Sequence, residues 1–305
     1  MSIELTILGS SSATPAHNRF PSAQHLSMLD HNILVDCGEG TQMQMRRYKL
    51  KKSKLKFIFI SHVHADHILG LPGLIFSLNL QNRLDPLHLF APASVFEIMD
   101  LFLKSSETEL RFPLIKHITQ DKQKELIYED ALIKVYSFPL RHRVPTTGFL
   151  FKENAKLKKL NANACERHRI PFTFYTDIKR GKDYVSPDGK MIIPNDELTF
   201  DTGLPLKYAY CSDTLFDEAL AENFSGVDLL YHESTFLHEK LERAGETMHT
   251  TALQAGMMAR ISGAGKLLIG HFSSRYEDPT VLLDEAKLEF ENTSLALEGE
   301  KFILE

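Results

Sequence analysis

The chain has 305 residues, of which 43% are hydrophobic and 25% charged, and this composition is typical of a globular protein rather than a disordered, collagen-like or coiled-coil one. Its 35 basic and 40 acidic residues give a formal net charge of −5, which taken alone argues against a simple nucleic-acid-binding protein. The three cysteines, Cys37, Cys165 and Cys211, have no repeated spacing and suggest no disulfide framework. With no signal-peptide pattern and no apolar run near the roughly 20 residues of a membrane span, the sequence predicts a soluble, cytoplasmic protein without a membrane partner.

The first half of the sequence predicts short strands mixed with helices. Apolar runs and period-two alternation predict strands at residues 3–9, 23–29, 33–36 and 57–60, and a series of short strands between 114 and 151. A tight glycine turn at 36–41 precedes a predicted helix at 41–48. Further helices are predicted at 71–80 and 93–104.

Residues 152–200 differ in amino-acid composition from the rest of the chain. They are polar, basic and poor in aliphatic residues, and they contain three prolines and two glycines, which predicts an inserted arm rather than core. Apolar runs typical of a buried core occur again at 208–211 and 227–231. Helices are then predicted at 251–262 and 278–291, and strands at 266–269 and 301–304. The pattern predicts one α/β (α+β) domain over residues 1–305, a four-layer αββα sandwich with a protruding arm at about 152–200.

The strongest chemical signal directly follows the apolar strand 57–60. The segment Ser61-His62-Val63-His64-Ala65-Asp66-His67 places four metal-binding side chains within six residues. His62 and His64 project to the same side of an extended chain, whereas Asp66 and His67 lie past the bend and can reach a second point. Since imidazoles and carboxylates suit zinc, the segment predicts two neighbouring metal positions. The alternative is a polar loop that happens to be rich in histidine.

Two metal ions need more ligands than this segment supplies. His142, Asp213 and His271 each follow an apolar run, so a shared cleft at the ends of the strands would bring them together. Each of them alone is a weak signal, because a single histidine at the end of a strand is more often structural.

The combination resembles the metallo-β-lactamase superfamily, and its finer pattern resembles ribonuclease Z, the endonuclease family that trims the 3′ end of precursor tRNA. The resemblance runs from about residue 3 to about 300. The matching stretches are 36–42 (DCGEGTQ), 62–67 with 70–73, 140–142 (LRH), 211–214 (CSDT), 232–236 (HESTF), 248–252 (MHTTA) and 270–276 (GHFSSRY). The metal motif marks only the superfamily, whereas the stretches around Glu233 and His249 mark the ribonuclease Z branch.

The resemblance implies a site with two zinc ions per subunit. His62, His64 and His142 would hold one ion, Asp66, His67 and His271 the other, and Asp213 would bridge them. Two such ions can lower the pKa of a water molecule and clamp a phosphodiester, and Asp66 would orient or deprotonate that water. His249 would protonate the leaving oxygen with its ring held by Glu233. Glu233 and His249 could instead form a buried ion pair or a helix cap.

Basic and hydroxylic residues suggest where RNA would bind. Arg19, in the polar loop after the first strand, and Ser273, Ser274 and Arg275, next to His271, suit phosphate contacts. Residues 46–56 carry seven basic and no acidic side chains, and residues 152–190 carry ten basic and five acidic ones. The chain therefore contains two basic segments despite its negative net charge. The first of them could instead be an ordinary solvated end of a helix.

The family carries an arm at the second basic segment that grips the tRNA elbow, and Lys179 and Arg180 are its candidate contacts here. This arm departs from the family's pattern, because residues 170–175 contain no glycine. The short chain resembles the short form of the family, which implies a homodimer in which one subunit's arm serves the other's site. Alternative hypotheses are a phosphodiesterase or exoribonuclease of the same fold with another substrate, such as a small phosphodiester, a lactone or a thioester, and an inactive RNA-binding scaffold.

Overall fold

The computed structural model of this chain describes residues 3–154 and 156–305 and contains eighteen strands and ten α-helices among them. In chain order the strands are β1 Ile3–Gly9, β2 Ala23–Met28, β3 His31–Val35, β4 Phe57–Phe59, β5 Leu87–Ala91, β6 Leu114–Ile118, β7 Glu125–Glu129, β8 Ile133–Leu140, β9 Thr146–Glu153, β10 Lys159–Leu160, β11 Tyr184–Val185, β12 Ile192–Ile193, β13 Thr199–Phe200, β14 Lys207–Cys211, β15 Leu229–Glu233, β16 Lys266–Gly270, β17 Thr293–Leu295 and β18 Lys301–Leu304.

The helices are α1 Thr41–Arg47, α2 Ala65–Ile68, α3 Gly70–Leu80, α4 Ala93–Ser105, α5 Ala162–Arg167, α6 Tyr175–Lys179, α7 Asn195–Leu198, α8 Leu241–Thr247, α9 Ala252–Ser262 and α10 Thr280–Lys287. Short 3-10 helices occur at Lys52–Lys54, Phe172–Phe174, Glu218–Phe224 and His238–Lys240. Contacts divide the chain into a larger unit, up to Lys152 and from Leu206 onwards, and a smaller unit, Glu153–Pro205.

Two seven-stranded sheets form the larger unit. The order of strands in the first sheet is β18-β1-β2-β3-β4-β5-β6, and β3 to β6 run parallel. The order in the second sheet is β17-β16-β15-β14-β9-β8-β7, and β14 to β17 run parallel. The carboxyl ends of parallel strands meet at one edge of each sheet, and the polar segments that follow the strands begin at those edges.

The core of the larger unit lies between the two sheets. Phe59 on β4 packs against Phe149 and Phe151 on β9, with ring centroids 5.3 and 5.2 Å apart. Helices α1, α3 and α4 cover the outer face of the first sheet, and α9 and α10 cover that of the second. This arrangement confirms the predicted four-layer αββα sandwich.

The smaller unit has a hydrophobic core of its own. Its buried side chains are Ala164, Cys165, Ile170, Ile178, Tyr184, Ile193 and Leu198. The sequence predicts an excursion without core at this position, because seven apolar residues spread over 35 positions show no clear helical or strand period. The division of the chain into one domain with a tRNA-binding arm stays a prediction.

Most predicted elements lie within a few residues of those found. In the larger unit, strands β5 and β17 and helices α2 and α8 were not predicted. Each is short: β5 has five residues, β17 has three, α2 has four, and α8 has seven including Gly245. No element of the smaller unit was predicted. Among the described residues, the helices lack the combined length and apolar character needed to cross a lipid bilayer.

Candidate metal centre

The first ligand segment begins where β4 ends. His62 and His64 lie on extended chain, and His64 is the N-cap residue of α2, with φ −61° and ψ 149°. Because Asp66 and His67 lie in helix α2, their side chains point in other directions than those of His62 and His64. One segment of six residues thus supplies side chains to two positions, as its spacing predicts.

The remaining predicted ligands come from the second sheet. His142 follows β8, Asp213 follows β14 and His271 follows β16. Because β14, β15 and β16 are parallel, Asp213 and His271 lie at the same edge as Glu233, the last residue of β15. The polar residues that follow the strands of the two sheets therefore lie close together.

The first group of donors comprises His62, His64, His142 and Asp213. His64 Nδ1 lies 3.0 Å from His62 Nε2 and 3.2 Å from His142 Nε2. Asp213 Oδ2 lies 3.6 Å from His62 Nε2 and 3.8 Å from His142 Nε2. Three imidazole nitrogens and one carboxylate oxygen thus surround one point, a donor set that suits zinc.

The second group comprises Asp66, His67 and His271, with the other oxygen of Asp213. His67 Nε2 lies 3.5 Å from both Asp66 Oδ2 and Asp213 Oδ1. His271 Nε2 lies 3.3 Å from the same two oxygens. Asp213 therefore turns one oxygen toward each group, which is the geometry of a ligand shared by two cations.

Two buried atoms of the second group test whether a metal ion fits. Within the described part of the chain, neither His67 Nε2 nor Asp213 Oδ1 makes a hydrogen bond. A buried polar atom without a partner is costly, and a cation between these two atoms would satisfy both. The donor atoms and their surroundings therefore fit metal ions.

The ionisation equilibria of the donors differ between the two groups. Burial opposes the ionisation of Asp66 and Asp213, but the surrounding imidazoles outweigh it and hold the pKa of both carboxyls well below the usual range. Burial lowers the pKa of His62, His64 and His142, which favours the neutral imidazoles that bind a divalent cation. In the second group the neighbouring carboxylates outweigh burial and raise the pKa of His67, so a bound cation would displace its proton.

The second ring nitrogen of several of these histidines is held by a neighbour. Such contacts fix the orientation and tautomer of a ligand. The contacts are His67 Nδ1 to Asp36 Oδ2 at 2.8 Å, His142 Nδ1 to the Met248 carbonyl at 2.9 Å, His271 Nδ1 to Thr235 Oγ1 at 2.9 Å and His62 Nδ1 to Ser61 Oγ at 3.0 Å.

Asp36 is a supporting residue to which the sequence assigned no role. It is fully buried after β3, and its carboxylate also accepts hydrogen bonds from the Ser61 N–H at 2.7 Å and the Tyr210 hydroxyl at 2.6 Å. Asp36, Met248 and His271 all adopt positive φ values, of 56°, 57° and 61°, which non-glycine residues rarely do. In the sequence, Asp36 stood out only as the last residue of the predicted strand 33–36 and the first of the family-like stretch 36–42.

Glu233 and His249 form a second cluster beside the metal ligands. Glu233 is fully buried, and its Oε1 accepts hydrogen bonds from His249 Nδ1 at 3.0 Å and from the Thr250 and Thr214 N–H groups at 2.9 and 3.2 Å. Burial disfavours the charged form of His249, but the Glu233 carboxylate outweighs it and raises the pKa of His249 to about 9. His249 Nδ1 lies 4.0 Å from Asp213 Oδ2.

Thr235 links this cluster to the metal ligands. Its hydroxyl donates to Glu233 Oε2 at 2.6 Å and accepts from His271 Nδ1 at 2.9 Å. Because the hydroxyl proton is directed to the carboxylate, the His271 proton must lie on Nδ1, which leaves Nε2 free to bind a cation. No sequence pattern distinguished Thr235 from the other hydroxyl residues near it.

The predicted phosphate-binding residues of the larger unit differ in their exposure to solvent. Arg19 is buried, and its guanidinium donates to the carbonyls of Tyr276 and Glu277, so this placement favours a role in joining two loops. Ser273 is buried, whereas Ser274 and Arg275 are exposed. The Arg275 guanidinium lies 5.5 Å from the centroid of the Phe236 ring.

The loop that contains Arg19 also contacts Asp66, a candidate metal ligand. The Ala13 N–H donates to Asp66 Oδ2 at 2.7 Å. Glu298 Oε1 fixes the same loop at two points, because it accepts from the Ser10 N–H at 3.1 Å and the Phe20 N–H at 2.9 Å.

Lys179 and Arg180 lie in the smaller unit. With Lys156, Lys158, Leu157 and Gly181 they line a pocket of about 290 Å³. Four basic side chains thus border one concave surface of that unit.

Comparison with known proteins identifies relatives along nearly the whole chain. Ribonuclease Z of Bacteroides fragilis is 44% identical over 296 residues, which are 97% of each chain. Ribonuclease Z of Porphyromonas gingivalis is 44% identical over 292 residues, which are 96% of each chain. Residues 3–144 also match a family described as "Anti-Pycsar protein Apyc1".

Solved structures share the fold. The short form of human tRNase Z has a TM-score of 0.71 at 25% identity, with 98% of each chain covered. The metallo-β-lactamase fold protein YhfI of Bacillus subtilis has the same TM-score at 18% identity, with 99% of each chain covered. Sequence identity over almost the full length, on a fold shared with these structures, confirms the resemblance of the motifs: this chain belongs to the ribonuclease Z family.

Proposed function

We propose that this chain is a zinc-dependent endoribonuclease that removes the 3′ trailer from precursor tRNA. Membership of the ribonuclease Z family supports the reaction class and the substrate. The observation that carries the metal-dependent part is Asp213, whose two carboxylate oxygens face two separate groups of histidine and aspartate donors. Two divalent ions held there would supply Lewis acidity, which lowers the pKa of water and neutralises phosphate charge.

The residues around these donors divide the work of hydrolysis. Asp66 lies at the centre with its carboxylate held by the Ala13 N–H, and there it would take a proton from the attacking water. The water oxygen forms a bond to phosphorus while the bond from phosphorus to the 3′-oxygen of the tRNA breaks. The tRNA keeps a 3′-hydroxyl, and the released trailer carries a 5′-phosphate.

His249 is the candidate donor of the proton that the leaving 3′-oxygen requires. Glu233 holds Nδ1 of the ring at 3.0 Å, so the other ring nitrogen is available for transfer to the substrate. Glu233 touches no substrate in this scheme and acts as a positioning residue for His249.

The smaller unit is the proposed exosite for tRNA. Its pocket bordered by Lys156, Lys158, Lys179 and Arg180 offers positive charge to phosphate groups. We also place the protein in the cytoplasm as a homodimer, in which the exosite of one subunit holds the tRNA cut by its partner.

The first experiment compares cleavage of a precursor tRNA carrying a 3′ trailer by the wild type and by His64→Ala. The wild type should release an intact trailer with a 5′-phosphate, and His64→Ala should leave the precursor uncut, because one donor group loses a ligand. Stepwise shortening of the trailer would indicate an exonuclease instead. Efficient cleavage of a chromogenic phosphodiester, together with failure to bind or cut the precursor, would rule out the tRNA substrate.

The second experiment tests the exosite and the dimer together. The double variant Lys179→Ala, Arg180→Ala should still cleave the small phosphodiester but lose precursor tRNA, whereas Lys182→Ala, Lys190→Ala in the same unit is the charge-matched control. In a mixed dimer, the exosite variant supplies an intact metal centre and His64→Ala supplies an intact exosite. Mixing the two variants should therefore restore cleavage if the exosite of one subunit serves the metal centre of the other. Normal tRNA cleavage by the exosite variant would contradict the exosite, and the absence of any restoration would contradict the exchange between subunits.

A further inference from the structure

A basic cleft lies on the larger unit, outside the metal centre. It lies between the end of α1, the segment that follows it and the end of α3, and its volume is about 630 Å³. Its charged lining residues are Arg46, Lys49, Lys51 and Lys52. The lining contains no acidic and no aromatic side chain.

The cations of this cleft are not neutralised by the protein. The segment 46–56 contains seven basic residues and no acidic one. Over residues 3–154 and 156–305, the ion pairs made by lysine and arginine involve none of these seven side chains. Arg46, Lys49 and Lys51 are exposed, and Lys52 is half-buried.

Helix geometry explains only part of this charge. Arg46 and Arg47 lie in the last turn of α1, where a cation favours the negative end of the helix dipole. Lys49, Lys51, Lys52, Lys54 and Lys56 lie beyond the helix. The rest of the chain is net acidic, so the positive charge is concentrated here rather than spread over the surface.

The cleft lies within reach of a substrate bound at the metal centre. Gln42, which lines the cleft, is six residues after Asp36, whose carboxylate contacts His67. Six residues of chain span at most about 22 Å, so the Cα atoms of Gln42 and Asp36 are no further apart than that. At about 3.4 Å per phosphate of a duplex strand, a nucleic acid crosses that distance in about six nucleotides.

We propose that this cleft binds the phosphate backbone of the precursor RNA on the same subunit that cleaves it. The inference rests on the proposed function and adds a second contact surface to it. Unpaired lysine and arginine side chains neutralise phosphates, and the lining of the cleft has no aromatic side chain on which a base could stack. We therefore assign the cleft to the phosphate backbone.

The test removes three cations and measures how RNA binding depends on salt. The triple variant Arg46→Gln, Lys51→Gln, Lys52→Gln is compared with Lys104→Gln, Lys122→Gln, Lys240→Gln, which removes as many exposed lysines from other surfaces of the larger unit. Both are made in the His64→Ala background so that the precursor survives. Affinity is measured by fluorescence anisotropy between 50 and 200 mM salt.

The negative slope of log affinity against log salt should become shallower by about 2–3 for the cleft variant and stay unchanged for the control, since each phosphate contact contributes roughly 0.7–0.9 to its magnitude. With His64 restored, the cleft variant should cleave a small phosphodiester at the wild-type rate. Equal slopes for the two variants would overturn the proposal. An unchanged slope with a changed oligomeric state would assign the cleft to a contact between copies of the chain instead. Failure of the wild type to cut a precursor that it binds would refute the proposed function while leaving the salt test of the cleft intact.

Discussion

At the scale of single residues, the Thr235 hydroxyl makes two contacts at once. It donates to Glu233 Oε2 and accepts from His271 Nδ1, so one side chain fixes both a candidate metal ligand and the partner of His249. Removal of such an outer contact typically weakens metal binding by about 10- to 100-fold.

Thr235→Val should therefore lower the affinity for zinc at the second group of donors, which contains His271, by about 10- to 100-fold, as measured by competition with a chelator. Thr235→Ser should retain the affinity, because it keeps the hydroxyl. Thr250→Val is the matched control, since the Thr250 hydroxyl is equally buried but donates to the Thr214 carbonyl at 2.7 Å. Equal losses in Thr235→Val and Thr250→Val would show that any missing buried hydroxyl has this effect.

Asp36 shows how far sequence reasoning reaches at the same scale. The predicted ligands His62, His64, Asp66 and His67 lie close together because their spacing within one segment already determines their relative directions. Asp36 and Thr235 support histidines 31 and 36 positions away, and a single carboxylate or hydroxyl has no local pattern that indicates a distant partner. Residues that act through contacts with parts of the chain distant in sequence could therefore be identified only in the structure.

At the scale of elements, the junction of α2 and α3 packs against the turn before α1. A Cβ atom at Gly70 would lie 2.1 Å from the Gly38 carbonyl oxygen, and the Gly70 N–H donates to the Cys37 carbonyl at 2.9 Å. This close approach fixes the position of α2, which carries Asp66 and His67.

Gly70→Ala should lower the free energy of unfolding by about 1–3 kcal/mol, because backbone atoms would have to move apart. Gly245→Ala in α8 is the control, since open space surrounds that position. There the substitution should raise stability by about 0.5–1 kcal/mol through helix propensity. Urea unfolding measures both changes, and a neutral Gly70→Ala would contradict the close packing of this junction.

The elements of the smaller unit mark another limit of prediction. Its helices α5 to α7 have four to six residues, and only one face of each contributes to the small core. Elements this short show less than two turns of periodicity, so the pattern that predicts α3 and α4 from their length is missing. The sandwich was predictable because its long elements repeat the pattern several times.

At the scale of the whole molecule, the candidate metal centre draws its donors from both sheets. His62, His64, Asp66 and His67 follow a strand of the first sheet, whereas His142, Asp213 and His271 follow strands of the second. Ions bound between them would connect the two halves of the sandwich and stabilise the folded state by mass action.

Removal of metal with a chelator should therefore lower the melting temperature, and added zinc should restore it. Metal at about 100 times its dissociation constant contributes about 2.7 kcal/mol, which is several degrees for a protein of this size. Asp213→Asn, which alters the shared ligand, should show a much smaller response to the chelator in differential scanning calorimetry. Identical melting temperatures with and without chelator for the wild type would contradict metal binding at this centre.

The positive φ angle of His271 has an evolutionary consequence. A non-glycine residue in this conformation costs roughly 1–2 kcal/mol, and glycine would adopt it without that cost. Glycine would also remove the imidazole whose Nε2 faces Asp66 and Asp213. Backbone strain and metal binding thus favour different residues at this position. A relative with glycine here would be expected to lack a donor of the second group, which makes the position a marker for separating active members of the family from inactive ones.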